Sequence, residues 1–217
     1  MFYYLGRKKR LAGKYPEPRH PTIIEPFAGS AAYSLHGDRW ERDVIINDLN
    51  PDTIGVWKYL QSATVGDIEK LPDLKYQDRI SDVKWLSDAE RWLISYHINP
   101  GANQRSDVVQ KFSRWGAGKK YIIANLHKIK HWTIRLGDYR DLTNRCATWF
   151  IDPPYVKTSQ YYMTGGVDFN GLANWCLSRI GQLIICEAQG ATWLPFAPLE
   201  TIHIGGHSVS REAVYLR

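Results

Sequence analysis

At 217 residues the chain has room for one domain, or one with a modest insertion, and it can bury a core without disulfides or metals. Hydrophobic residues make up 44% and charged residues 23%, with no low-complexity tract, which argues against disorder; no apolar run approaches the ~18 residues of a membrane helix. Net charge is +6, and the three cysteines (Cys146, Cys176, Cys186) lack metal-ligand spacing, so neither a zinc site nor a disulfide scaffold is expected and a reducing cytoplasm fits best.

In chain order, MFYYLGRKKR sets aromatics ahead of charges, the reverse of a secretory signal. Thr22–Phe27 is an apolar run broken by Ala28, Gly29 and Ser30, a buried strand entering a turn, and Ala31–His36 looks like the start of a helix. Val44–Asn47 is a second buried strand, closed by Asp48. Asn50-Pro51 is a helix-start signal for a helix through Val56, Trp57 and Leu60. Leu86–Ile98, Ser106–Trp115 and Lys119–Lys130 read as helices, with no buried β-branched run between them. Strands resume at Thr133–Leu136 and Thr148–Ile151, then a helix around Gly171–Ile180, a strand at Leu183–Cys186, and a hairpin from Leu199–Ile204 and Ala213–Arg217. The expected fold is α/β, a mostly parallel sheet with a C-terminal antiparallel hairpin, interrupted by a small helical insertion at 61–131.

In an open α/β sheet ligands bind at the carboxyl ends of the strands. The turn Phe27-Ala28-Gly29-Ser30-Ala31, Asp48, Asp138 and Asp152-Pro153-Pro154-Tyr155 all fall there. A small-residue turn lets a ligand approach the backbone, and an acid after the second strand suits ribose hydroxyls. Successive prolines forbid helix and ladder pairing, so the carboxylate before them and the aromatic after them keep a fixed relation. That arrangement suits a planar, amine-bearing ring stacked on Tyr155, its NH₂ donating to Asp152 and to the Pro153 carbonyl. The plainer alternative is a rigid surface turn.

Taken in order, these motifs resemble the Dam-like DNA adenine-N6 methyltransferases, with a Rossmann-like sheet. Tyr4-Leu5-Gly6-Arg7-Lys8 is similar to that family's aromatic-x-Gly-x-Lys motif. Glu25-Pro26-Phe27-Ala28-Gly29-Ser30-Ala31 is similar to its cofactor loop, with Ala31 in place of a final glycine. Asn47-Asp48, Gly137-Asp138-Tyr139 and Asp152-Pro153-Pro154-Tyr155 follow. The resemblance covers roughly 1–60 and 132–217, implying a catalytic domain there and an inserted target-recognition lobe at 61–131. It implies S-adenosyl-L-methionine as cofactor, contacted by Tyr4, Lys8 (near its carboxylate), Phe27, Gly29, Ser30, Asp48 (ribose) and Asp138 (adenine N6). Asp152, Pro153, Pro154 and Tyr155 would form the target pocket, Asp152 also bordering the cofactor. The implied partner is double-stranded DNA, with no membrane and no metal; a monomer is compatible with this, as is a bacterial or phage-encoded, nucleoid-associated protein.

Charge distribution adds to this reading. Residues 1–20 hold six bases against one acid and residues 101–135 eight against one, while the other 162 residues sum to −6. Two basic segments on a mildly acidic body suit a polyanion, the alternative being a solvated face. Arg105, Arg114, Lys119 and Lys120 are the candidate DNA contacts, with the two lysines on phosphates; Phe112 and Trp115 read as core of a helical lobe. Tyr161 and Tyr162 either line the flipped base or pack. Cytosine-C5 chemistry would need a Pro-Cys nucleophile, and the cysteines here follow Arg145, Trp175 and Ile185. The rival readings are an RNA base methyltransferase and a non-catalytic DNA-binding protein on the same fold.

Overall fold

The β-branched runs at 23–25, 44–47, 147–151 and 182–187 become strands buried on both faces, whereas 133–136 forms a largely exposed edge strand. The computed structural model describes residues 1–4, 8–99, 106–156, 167–205 and 208–217. It joins β1 (Thr22–Glu25), β2 (Asp43–Asp48), β3 (Thr133–Leu136), β4 (Ala147–Ile151), β5 (Gly181–Ala188), β6 (Ala197–Gly205) and β7 (Ser208–Leu216) in one sheet of order β3-β2-β1-β4-β5-β7-β6. β1 pairs in parallel with β2 and β4, β2 with β3, and β4 with β5. β7 runs antiparallel to both β5 and β6. The sheet is mostly parallel with an antiparallel C-terminal hairpin, as the strand pattern leads one to expect, and Rossmann-like, as the resemblance implies. Strand order reverses between β1 and β4, so the crevice at their carboxyl ends is the topological switch point.

Alternation along the strands sorts the core into two layers. Ile23, Val44, Ile46, Phe150, Ile184 and Cys186 face one side, with Phe2, Trp57 and Leu60. Ile24, Ile45, Trp149, Ile151, Leu183 and Ile185 face the other, under Leu172, Ala173 and Cys176 of α5 (Phe169–Leu177).

The helix expected after the first strand does not form. Gly29 and Ala31 take φ of 45° and 46°, and the Ser34 N–H is drawn to the Glu25 carboxylate at 2.8 Å, so 31–36 is a run of turns. α1 (Pro51–Ser62) begins as expected, its Asn50 side chain accepting from the Asp52 N–H. α2 (Val65–Lys70) and α3 (Asp88–Ile98) each open with a capping box, Thr64/Asp67 and Ser87/Glu90. The helix expected over Ser106–Trp115 is replaced by extended chain. Val109 exchanges backbone hydrogen bonds with Gln77 and Asp78, and Ile80 donates to the Asp107 carbonyl, so α4 starts only at Trp115 and runs to Asn125.

Leu93, Ile94, Ile98, Trp115 and Ile122 belong to the same apolar cluster as Phe2, Trp57 and Leu60. The helices of 61–131 thus share a core with α1 and the N-terminal segment. Where α3 meets α4, a Cβ on Gly118 would overlap the His97 ring, whose Nδ1 lies 2.8 Å from the Leu93 carbonyl. Gly118→Ala should therefore destabilise the fold by about 1–3 kcal/mol despite alanine's better helix propensity. Urea unfolding checks this; an unchanged or raised midpoint would mean that the α3–α4 seam has slack.

Candidate active site

The structure gathers the strand-end residues along one rim. On the β1–β3 side, Asp48 Oδ2 accepts from the Gly29 N–H and Oδ1 from the Asn50 N–H, both at 2.9 Å. Asn47 bridges the Pro26 and Gly137 carbonyls through Nδ2, and Trp57 Nε1 donates to the Gly29 carbonyl at 2.8 Å. The glycine-containing turn is thereby pinned from three directions. At Gly29 the positive φ excludes most side chains, and a Cβ there would come within 2.9 Å of the Tyr4 ring. Ser30 is buried, and Phe27 packs against Tyr139 with ring centroids 5.0 Å apart. Asp138 is engaged locally: its carboxylate accepts from the Arg140 backbone N–H, Nε and Nη2 at 2.7–2.9 Å.

On the β4 side, Asp152 ends the strand and Pro153 is buried behind it. Lys8 directs its buried ammonium to Asp152 Oδ1 at 2.9 Å and lies 4.6 Å from the centroid of the Tyr155 ring. The Tyr155 hydroxyl donates to Glu212 Oε2 of β7 at 2.5 Å. Glu187, at the end of β5, accepts from the Val156 N–H at 3.3 Å and from Trp193 Nε1 at 3.0 Å, tethering the chain after the two prolines. Leu5, Gly6, Arg7, Arg105, Tyr161 and Tyr162 lie outside the described residues.

Burial sets the electrostatics here. It pushes the Asp152 carboxyl up to about 6 against the pull of Lys8, and Glu25 up to about 7 against the Ser34 hydrogen bond. Asp48 is likewise raised by burial, partly offset by its backbone donors. For Lys8, burial disfavours the charge, but Asp152 and Glu212 outweigh it and hold the ammonium above its usual value. Hydrogen bonding to Arg140 draws Asp138 down. The Lys8 ammonium thus opposes the effect of burial and favours the ionised form of Asp152.

Of the expected nucleic-acid contacts, Arg114 and Lys120 are exposed. Lys119 turns inward, bonding the Leu71 carbonyl at 2.6 Å and Asp73 at 3.0 Å, because its stem crosses the gap between α4 and the turn after α2. Trp115 is buried, as expected of a core residue, but Phe112 is 64% exposed.

Glu187 and Glu212 are not among the site residues expected from sequence, and Glu25 enters there only as the first residue of the loop motif. Glu187 follows the apolar Leu183–Cys186 run, so the strand-end rule that marks Asp48 and Asp152 also marks it. Glu212 sits inside an antiparallel strand and carries no such signal. Among the described residues no cluster of side chains suits a metal ion.

The raised Glu25 makes a pH prediction. Its folded value of about 7 exceeds the ordinary 4.5, so the folded chain binds this proton more tightly, and the group lowers stability progressively as pH climbs from about 4.5 to 7. Glu25→Gln, which keeps an acceptor for Ser34, should flatten the fall in unfolding free energy between pH 5 and pH 8 by on the order of 2 kcal/mol. Chemical denaturation at the two pH values reads this, and parallel profiles for the two proteins would refute it.

Against known proteins, the solved structures similar to this chain include a conserved hypothetical protein from Streptococcus pyogenes, at 11% identity, covering 90% of this chain and 84% of that one, TM-score 0.40. They also include the rRNA methyltransferase aviRa from Streptomyces viridochromogenes, at 15% identity, covering 96% and 81%, TM-score 0.45. No curated protein matches in sequence. Residues 4–89, a span that includes Tyr4, Lys8, the Phe27–Ala31 turn and Asp48, match the D12 class N6 adenine-specific DNA methyltransferases, which supports methyltransferase activity.

Proposed function

We propose that the chain transfers a methyl group from S-adenosylmethionine to N6 of an adenine extruded from duplex DNA. The observation that carries this reading is the Asp152 carboxylate, ion-paired with Lys8 and followed by a proline-fixed Tyr155, at the switch point of the sheet. The family match over residues 4–89 supports the cofactor class and the DNA substrate.

The residues on the β1–β3 side fit a nucleoside cofactor. Gly29 brings no side chain of its own to the turn, where the Tyr4 ring lies against it, and Asp48 is preoriented by two backbone N–H groups. A carboxylate offers about four lone-pair positions, so Asp48 keeps acceptor capacity for ribose hydroxyls. Leu49 and Leu136, 48% and 52% exposed, adjoin it and provide an apolar rim for a purine ring. Phe27, Ser30 and Tyr4 surround the turn that would take the methionine portion, and Asp138 would meet the purine amine only by sharing its carboxylate with Arg140.

S-adenosylmethionine supplies an electrophilic methyl group on a sulfonium. The protein's part is to make a poor nucleophile competent, since an adenine amine delocalises its lone pair into the ring. Asp152 and the Pro153 carbonyl accept the two N–H groups, which favours a pyramidal nitrogen with its lone pair turned away from them. Lys8 fixes Asp152 and favours its ionised form, while the remaining lone pairs of the carboxylate accept the amine. Pro153 and Pro154 fix this geometry before the base arrives, so the contribution is positioning and preorganised charge. Extrusion costs a few kcal/mol, and stacking on the Tyr155 face opposite Lys8 offsets part of it. The lobe at 61–131 would read the duplex, with Arg114 and Lys120 on phosphates.

Asp152→Asn preserves shape but exchanges an acceptor for a donor and removes the charge that holds Lys8. Methyl transfer should fall by at least ~10²–10³, with duplex binding little changed. Single-turnover transfer of labelled methyl groups to mixed-sequence DNA, followed by detection of N6-methyladenine, tests both the reaction and the role. Transfer to RNA alone, or near-normal turnover by the variant, would overturn the reading. Neutralising Arg114 and Lys120 together should lower the salt slope of DNA binding by about 2. Lys119→Gln should leave that slope intact and cost stability instead. The reverse pattern would place the phosphate contacts elsewhere.

A further inference from the structure

We infer that Glu212, inside β7, is a positioning residue for the target base: by holding the Tyr155 hydroxyl it sets the ring plane on which an extruded base stacks. This rests on the pocket reading above.

Two consecutive prolines place the Tyr155 backbone but not its ring, because the terminal torsion of a tyrosine is broad and two-fold. The hydroxyl must therefore be held from outside the loop, and Glu212 Oε2 does so at 2.5 Å. Glu212 is rigidly mounted, since β7 pairs there with Ala188 of β5 on one side and Glu200 of β6 on the other. Its side chain is in the buried interior, with the residue only 5% exposed. Glu187 performs the matching task for the backbone by accepting from Val156. The loop leaving β4 is thus aimed by carboxylates from the next two strands of the sheet.

The electrostatic arrangement points to more than packing. Glu212 raises the proton affinity of both Asp152 and Lys8, so the buried Glu212 and the partly buried Asp152 share the field of one buried lysine. Such a cluster costs stability relative to apolar side chains of similar volume. A tyrosine that merely filled space would not call for it.

The test compares Glu212→Ala, Glu212→Gln, Tyr155→Phe and the double variant Glu212→Ala/Tyr155→Phe. Calorimetry with S-adenosylmethionine and thermal unfolding run alongside methyl transfer to mixed-sequence duplex DNA. Glu212→Ala and Tyr155→Phe should each raise KM for the duplex about tenfold, the scale of one hydrogen bond. Cofactor affinity should stay unchanged, and the double variant should be no worse than either single one. Glu212→Gln keeps an acceptor and should recover most of the loss. A mismatch opposite the methylated adenine lowers the extrusion cost and should rescue both single variants. Additive losses, a loss confined to cofactor affinity, or no rescue by the mismatch would overturn the inference. Should the wild-type chain leave DNA unmodified but methylate RNA, the same cycle on RNA decides: coupling there upholds Glu212 and overturns only the DNA substrate. Transfer to neither overturns both readings.

Discussion

The buried ion pair between Lys8 and Asp152 is the interaction on which the rim of the sheet depends. A carboxylate at the end of a central strand, with Glu25 and Glu212 in its field, would bind a proton more tightly still without a nearby cation. Lys8 supplies that cation from 2.9 Å and keeps an acceptor available where β4 ends. Buried pairs seldom add net stability, because desolvation offsets the attraction. This one makes sense as a device that fixes charge and geometry at a site, where perturbed carboxylates concentrate.

Lys8 comes from the segment before β1, and that gives the pair a second consequence. Four residues earlier, Tyr4 lies against Gly29, so one short stretch touches both the β1–β3 turn and the β4 end. Phe2 continues the connection, stacking on Tyr96 at 5.0 Å and leaning on Trp57 at 5.1 Å. Tyr96 belongs to α3 and also meets Tyr4 at 5.9 Å. The N-terminal segment therefore joins the helices of 61–131 to the strand-end rim through aromatic contacts. Close-packed contacts of this sort transmit displacement because they have little room to absorb it.

Much of the candidate site is legible because its residues coincide with a rule of chain topology. Parallel strands must be apolar on both faces and must end together, so an acid directly after such a run is conspicuous: Asp48 and Asp152 were found this way. Glu187 obeys the same rule. Glu212 does not, since an antiparallel strand alternates faces and an acid within it reads as solvent-facing. Lys119 and Lys120 are equivalent in sequence, but adjacent helical residues point about 100° apart, and only Lys120 faces water.

The sequence by itself determined the α/β class, the run of strands, the N-cap of α1 and the ordered motifs at the strand ends, because each depends on residues within a few positions of one another. Local pattern failed at 31–36 and 106–115, where backbone groups found partners beyond the local segment: the Glu25 side chain for one, and residues 77–80 for the other. Tertiary structure alone decided that Lys8 meets Asp152, that Glu212 holds Tyr155, and that Lys119 turns inward. Those contacts join residues from 46 to 144 positions apart. Their energies depend on burial and on which strand lies beside which, quantities that exist only once the sheet has assembled.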